Sequence, residues 1–161
     1  MKYFVLNFIL SAFIVTSAEA AGNPTQVGLN FSSKSVLGIQ GEFDISSRFD
    51  NAPVTAQVFL KNYSHNDTSL DTWNSTGIGG AVIYDFNTKY QLDKKFHPYV
   101  GAGLIYVIHT WAGIGPEKKY TGAGSGLYVT GGVKYSLTPL VTTDFSLNNF
   151  GSLTFGVSIG I

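Results

Sequence analysis

The side chains equipped for chemistry are few and scattered. The chain has three histidines, His65, His97 and His109, and no cysteine. A nucleophile needs an adjacent base that is itself held in place by a third group. His109 is followed by Thr110 and Trp111, so the His-x-Ser spacing that would serve such a dyad is missing. Glu117 follows, but nothing in the sequence fixes its geometry. Without thiolates or a His-x-x-His spacing, no metal site is expected. The run Gly122-Ala123-Gly124-Ser125-Gly126 has a phosphate-loop composition. It leads into a strand-like segment and not into a helix whose first turn could hold an anion. No catalytic, cofactor-binding or metal-ligating residue is therefore assigned, and no cofactor is expected.

The charged residues form a more regular set. Glu42, Asp44, Lys61, Asp85, Lys134 and Asp144 all lie in segments that alternate apolar and polar residues, and all fall on the polar side. Side chains on a β-strand point to opposite faces in turn. In Ser35 to Ser46, Leu37, Ile39, Phe43 and Ile45 share one face, with Gly38, Gln40, Glu42 and Asp44 on the other. The final segment places Leu153, Phe155, Val157, Ile159 and Ile161 against Thr154, Gly156, Ser158 and Gly160. The same period recurs around Val54 to Lys61, Gly77 to Phe86, Tyr99 to His109 and Leu127 to Leu137. It is weaker in Gln26 to Ser32 and Thr142 to Asn148. Eight strands result, joined by short polar links that favour antiparallel order.

One end of the chain follows a different rule. Lys2 precedes an apolar stretch reaching to about Val15, and small residues occupy positions 18 and 20. This is the pattern of an export signal cleaved after Ala20. Residues 1–20 are read as that signal and 21–161 as one domain. The apolar stretch is shorter than the roughly 20 residues of a spanning helix.

Composition decides what surrounds the strands. Charged residues are 12% of the chain, against roughly 25% in an average soluble domain. Net charge is zero, which argues against nucleic acid, whose binding needs a basic patch. The polar face is rich in Gly, Ser, Thr, Asn and Gln, which suits a crowded lumen. Phe43, Tyr84, Phe86, Tyr106, Tyr135 and Phe155 sit on the apolar face near strand ends, where membrane barrels place aromatic girdles. A sheet in lipid must close on itself, because unpaired edge groups cannot be solvated there. The expectation is an all-β, eight-stranded antiparallel up-and-down transmembrane β-barrel, with its apolar face toward lipid.

Eight strands leave a lumen just wide enough for side chains. The six charges are accordingly read as a polar network filling it, and an ion path is the competing reading. Outer loops are expected near Ser33-Lys34, Asn62 to Asn74, Thr110 to Ser125 and Asn148 to Ser152. Tyr63, Trp73, Trp111 and Tyr120 in these loops are candidate surface contacts. Inner turns are expected near Ser47 to Pro53, Asn87 to Pro98 and Thr138-Pro139. Sequons at Asn30, Asn62, Asn66 and Asn74 are read as polar composition.

At Pro98-Tyr99-Val100-Gly101-Ala102-Gly103-Leu104 the sequence resembles the opacity-protein and OmpA-like outer-membrane barrels. The resemblance implies an integral protein of a Gram-negative outer membrane, with a structural or surface-interaction role; with no catalytic residue assigned, no enzymatic activity is expected. It implies contact with outer-membrane lipids and lipopolysaccharide, insertion by the barrel assembly machinery, and a host or surface ligand held by outer loops. Family members usually end in an aromatic residue, whereas this sequence ends in Ile161. A narrow channel for small solutes or ions is the alternative function, and a lipid A-modifying enzyme is a weaker one.

Overall fold

The computed structural model describes residues 26–33, 35–66, 72–112, 119–149 and 153–161. The expected export signal and Glu117 lie outside them. Eight strands follow in order: β1 (Gln26–Ser32), β2 (Ser35–Asp44), β3 (Val54–Asn66), β4 (Thr72–Asp85), β5 (Phe96–Ala112), β6 (Lys119–Ser136), β7 (Val141–Asn148) and β8 (Leu153–Gly160). Each pairs antiparallel with the next, and β1 pairs with β8 to close the ring. Gln26 lies opposite Gly160 and Ser32 opposite Thr154.

The period-two pattern fixes which side faces out. Leu104 is 68% exposed, Leu127 61% and Ile159 55%. Leu29, Val100, Phe145 and Phe155 are exposed beside them. Their neighbours in sequence turn inward: Asn30, Tyr99, Ile105, Tyr128, Asp144 and Ser158 are buried. Leaving so many large apolar side chains in water would forfeit roughly 1.5–3 kcal/mol each. A surface built this way belongs in hydrocarbon, and ring closure pairs the strand backbones that hydrocarbon could not solvate.

The strands stop level at one end and unevenly at the other. At the level end, Gln26 pairs with both Glu42 and Gly160, and Phe96 with Tyr135. Here the connectors are compact. Ser46–Arg48 forms a 3-10 turn, with Asp50 and Asn51 at positive φ. Thr138 Oγ1 accepts the Val141 and Leu140 N–H groups in the turn before β7.

The longest connector at this end, after β4, is held by hydrogen bonds of its own. Asn87–Tyr90 is a single helical turn ended by Gln91 in the left-handed region. Asn87 Nδ2 donates to the Asp93 and Phe96 carbonyls, and Asp93 Oδ1 accepts the Lys95 N–H at 2.8 Å. Its length therefore supports a hydrogen-bonded flap.

At the uneven end the structure corrects the sequence reading. β3 continues to Asn66, β4 begins at Thr72, β5 runs to Ala112 and β6 begins at Lys119. Tyr63, Trp73, Trp111 and Tyr120 were expected in loops; their backbones are in paired strands. Tyr63 lies opposite Ser75, Trp73 opposite both His65 and Trp111, and Trp111 opposite Tyr120. The reason is physical. Beyond the lipid a strand needs no apolar face, so backbone pairing continues while the alternation that marks it in sequence fades.

Candidate functional site

Two features can carry function: the packed lumen and the sheet that rises beyond the ring. The lumen has two unlike walls. On the side of β3 to β6, Phe59, Ala81, Ile83, Tyr99, Ile105 and Tyr128 form a buried apolar cluster, with Val107 packed against it. The rings of Phe59 and Tyr128 lie 4.5 Å apart, tilted. On the side of β7, β8, β1 and β2 the buried residues are polar: Asn30, Gln40, Glu42, Thr142, Asp144, Ser146, Asn148, Thr154 and Ser158. Pattern reading had made the lumen mainly hydrophilic. Large apolar residues do occupy inward positions in the sequence, but their share of the filling depends on cross-barrel packing.

All six charges of the sequence analysis point into this space. Lys134 pairs with Glu42, whose other oxygen accepts from Gln57 Nε2 at 3.0 Å. The Lys134 ammonium also lies 5.1 Å above the Tyr99 ring, and the Tyr99 hydroxyl donates to Asp144 at 2.9 Å. One cation thus sits between two carboxylates, touching one directly and the other through a ring. Lys61 donates to the Tyr128 hydroxyl at 3.0 Å and lies 5.1 Å from the centroids of both Phe59 and Tyr128. The buried Lys61 and the half-buried Lys134 match the buried Glu42 and Asp144, which limits the cost of placing charge in a low dielectric.

Asp44 and Asp85 lie lower, at the level end. With Gln26, Glu42, Thr55, His97, Lys134 and Ser136 they line a cavity of about 240 Å³. Asp85 Oδ2 bonds His97 Nδ1 at 2.8 Å, and its Oδ1 accepts the Asn87 N–H at 2.7 Å. Asp44 accepts the Ser46 N–H at 2.8 Å. Both carboxylates thereby anchor the adjoining turns. Sequence reasoning missed the role of His97, because its partner is 12 residues away across a connector.

The contact at His109 was also missed. Antiparallel register brings Ser75 opposite His109, and Ser75 Oγ is 2.8 Å from His109 Nδ1. The sequence has no serine two residues from His109, but neighbours in a sheet come from the next strand. The pair links β4 to β5 near the uneven end. Among the described residues no group of three or more His, Cys, Asp or Glu side chains could hold a metal ion.

The second feature is the rise of one wall above the other. β5 and β6 have 17 and 18 residues, β7 and β8 only 8 each. Crossing a bilayer takes about 9–11 residues of strand. Roughly seven residues of β5 and β6, or about 23 Å of strand at ~3.3 Å per residue, therefore stand clear of the lipid. Because the strands stop level at the opposite end, the excess lies at one end only.

A closed ring with lipid-facing side chains and a filled lumen defines an integral β-barrel membrane protein. The sequence matches the opacity family of porin proteins over residues 34–157, and the chain belongs to that family. No curated protein matches it. Among solved structures it is similar to Neisserial surface protein A, with 20% identity, a TM-score of 0.61, and 85% of this chain and 94% of that one covered. It is similar to the N-terminal barrel domain of Pseudomonas aeruginosa OprF, at 19% identity, TM-score 0.59 and coverage of 86% and 96%. The outer membrane protein Ail of Yersinia pestis aligns at 8% identity, TM-score 0.54 and coverage of 87% and 100%. At these identities the likeness concerns the fold.

Proposed function

We propose that the protein is an outer-membrane surface-interaction protein, anchored by its barrel and presenting the upper parts of β3 to β6 to partners outside the cell. The carrying observation is the one-sided excess of strand length. A wall that only had to cross the bilayer would end where β7 and β8 end. Outer-membrane lipid and lipopolysaccharide contact the apolar belt, and insertion rests on the barrel assembly machinery. The function is binding and not catalysis.

The packed lumen speaks against conduction as the main role. Phe59, Ile83, Ile105 and Tyr128 fill part of it, and hydrogen-bonded polar groups reaching in from both walls, Lys61, Tyr99 and Asp144 among them, fill much of the rest. The test is to shorten the β5–β6 hairpin by replacing residues 106–125 with a two-residue turn, since Ile105 lies opposite Gly126. Cells displaying the shortened barrel should lose adhesion to epithelial or matrix surfaces, while the unboiled protein still migrates as a folded barrel. Undiminished adhesion would refute the reading.

A further inference from the structure

The upper part of β6 is paired on one side only. β7 reaches no higher than Asn148, which lies opposite Thr130. Just above, Asn149 closes the ladder. Its N–H donates to the Val129 carbonyl at 2.9 Å, its Oδ1 accepts the Val129 N–H at 3.0 Å, and its Nδ2 donates to the Leu127 carbonyl at 2.9 Å. These bonds show which residues face away from β5. Along a strand, peptide groups point to alternate sides, so Val129 and Leu127 set the phase for Ser125, Ala123 and Thr121. Their N–H and C=O groups point to the free edge, and Thr121–Ser125 are exposed throughout. Among the described residues no strand lies against this edge.

Natural edges of this length are usually guarded by charges, proline or a covering element. From Thr121 to Val129 there is no charged residue and no proline. The side-chain faces are equally open. Gly122, Gly124 and Gly126 turn toward the barrel mouth, and a Cβ added at any of them would meet nothing within 4 Å. They lie opposite His109, Val107 and Ile105. A strand laid along β6 would find unfilled space on its mouth-side face, bounded below by apolar residues. Large side chains over cross-strand glycines are a known way of stabilising such pairs.

We infer that the free edge of β6 at Thr121–Ser125 docks an extended segment of a partner polypeptide, by strand addition. The segment is uncharged across the edge and carries large apolar or aromatic side chains at every second position, which enter the glycine-lined mouth. Main-chain bonds supply the affinity and the alternate side chains the selectivity. This inference rests on the surface-interaction reading above and names the surface within it.

The test uses the full barrel refolded in phosphatidylcholine vesicles. The probe is a labelled heptapeptide alternating threonine and phenylalanine, followed by fluorescence anisotropy. Its analogue methylated on every backbone nitrogen is the control. Ala123→Pro with Ser125→Pro removes two edge-facing donors and leaves the bonds to β5 intact. The probe should bind the native barrel, and both the methylated analogue and the double proline variant should weaken binding tenfold or more. Equal binding of the two peptides, unchanged binding by the variant, or no binding of the probe overturns the inference.

Should the proline variant not fold, amide exchange in the native barrel decides. The probe must slow exchange at Thr121, Ala123 and Ser125 and leave Gly122 and Gly124 unchanged; no slowing overturns it. In the adhesion assay, loss on shortening the hairpin without loss in the proline variant would sink the edge and spare the broader reading. Adhesion unaffected by shortening would sink the broader reading.

Discussion

Removing the Lys134 charge tests whether the lumen is a dry, matched network. Lys134 and Glu42 are 13% and 6% exposed, so each shows little surface to the cavity they help line. In Lys134→Met, Glu42 keeps only its bond from Gln57 among the contacts described above, and Asp144 keeps the Tyr99 hydroxyl. Breaking a buried pair from one side costs about 3–5 kcal/mol. At ~1.4 kcal/mol per decade, a loss near 4 kcal/mol lowers the folded-to-unfolded ratio about a thousandfold. Removing both charges, with Glu42→Gln added, leaves no stranded carboxylate at that position and should recover most of the loss. The assay is urea-driven unfolding from lipid vesicles, read by the shift between folded and unfolded bands on unboiled gels. A single variant within about 1 kcal/mol of the native protein would refute the argument, because water would then be screening the pair. So would a double variant as unstable as the single one.

Four further outcomes are expected. In planar bilayers the native barrel should show no steady openings, and sustained conductance would show that the plug does not seal. Gly103→Ala should yield no folded band, because its Cβ would run into the Gly80 carbonyl oxygen on the adjacent strand; Gly124→Ala, with open space around it, should fold as the native chain does. Leu104→Arg puts a charge on the lipid side and should cost about 2–4 kcal/mol if that position lies near the bilayer midplane, measured in the same urea titration. Asn87→Ala removes two bonds to the Asp93 and Phe96 carbonyls and should destabilise by about 1–2 kcal/mol, with faster amide exchange confined to the connector after β4.

The ring was legible because lipid imposes a strict rule on one face. Leu29 and Ile159 alternate with small or polar neighbours, and the structure turns both outward, as it does Leu104. The inward aim of Glu42, Lys61 and Asp144 followed from the same parity. What parity cannot give is contact across the barrel. Lys61 meets Tyr128, 67 residues away, and Lys134 meets Glu42, 92 residues away; neither pairing leaves a local trace. The protruding wall escaped notice for the opposite reason. Around Tyr63, Trp73 and Trp111 no apolar–polar alternation marks a face, so sequence no longer distinguishes a paired strand from a loop.

The side-by-side seating of β1 and β8 has a consequence for how the chain can be rearranged. Gln26 and Gly160 stand opposite one another, so a short tether could join them without bending the wall. Opening the chain instead between Asn66 and Thr72 would give a circular permutant with both new ends on the same rim. The wall would keep every neighbour it has now, because the hoop carries no mark of where its seam falls.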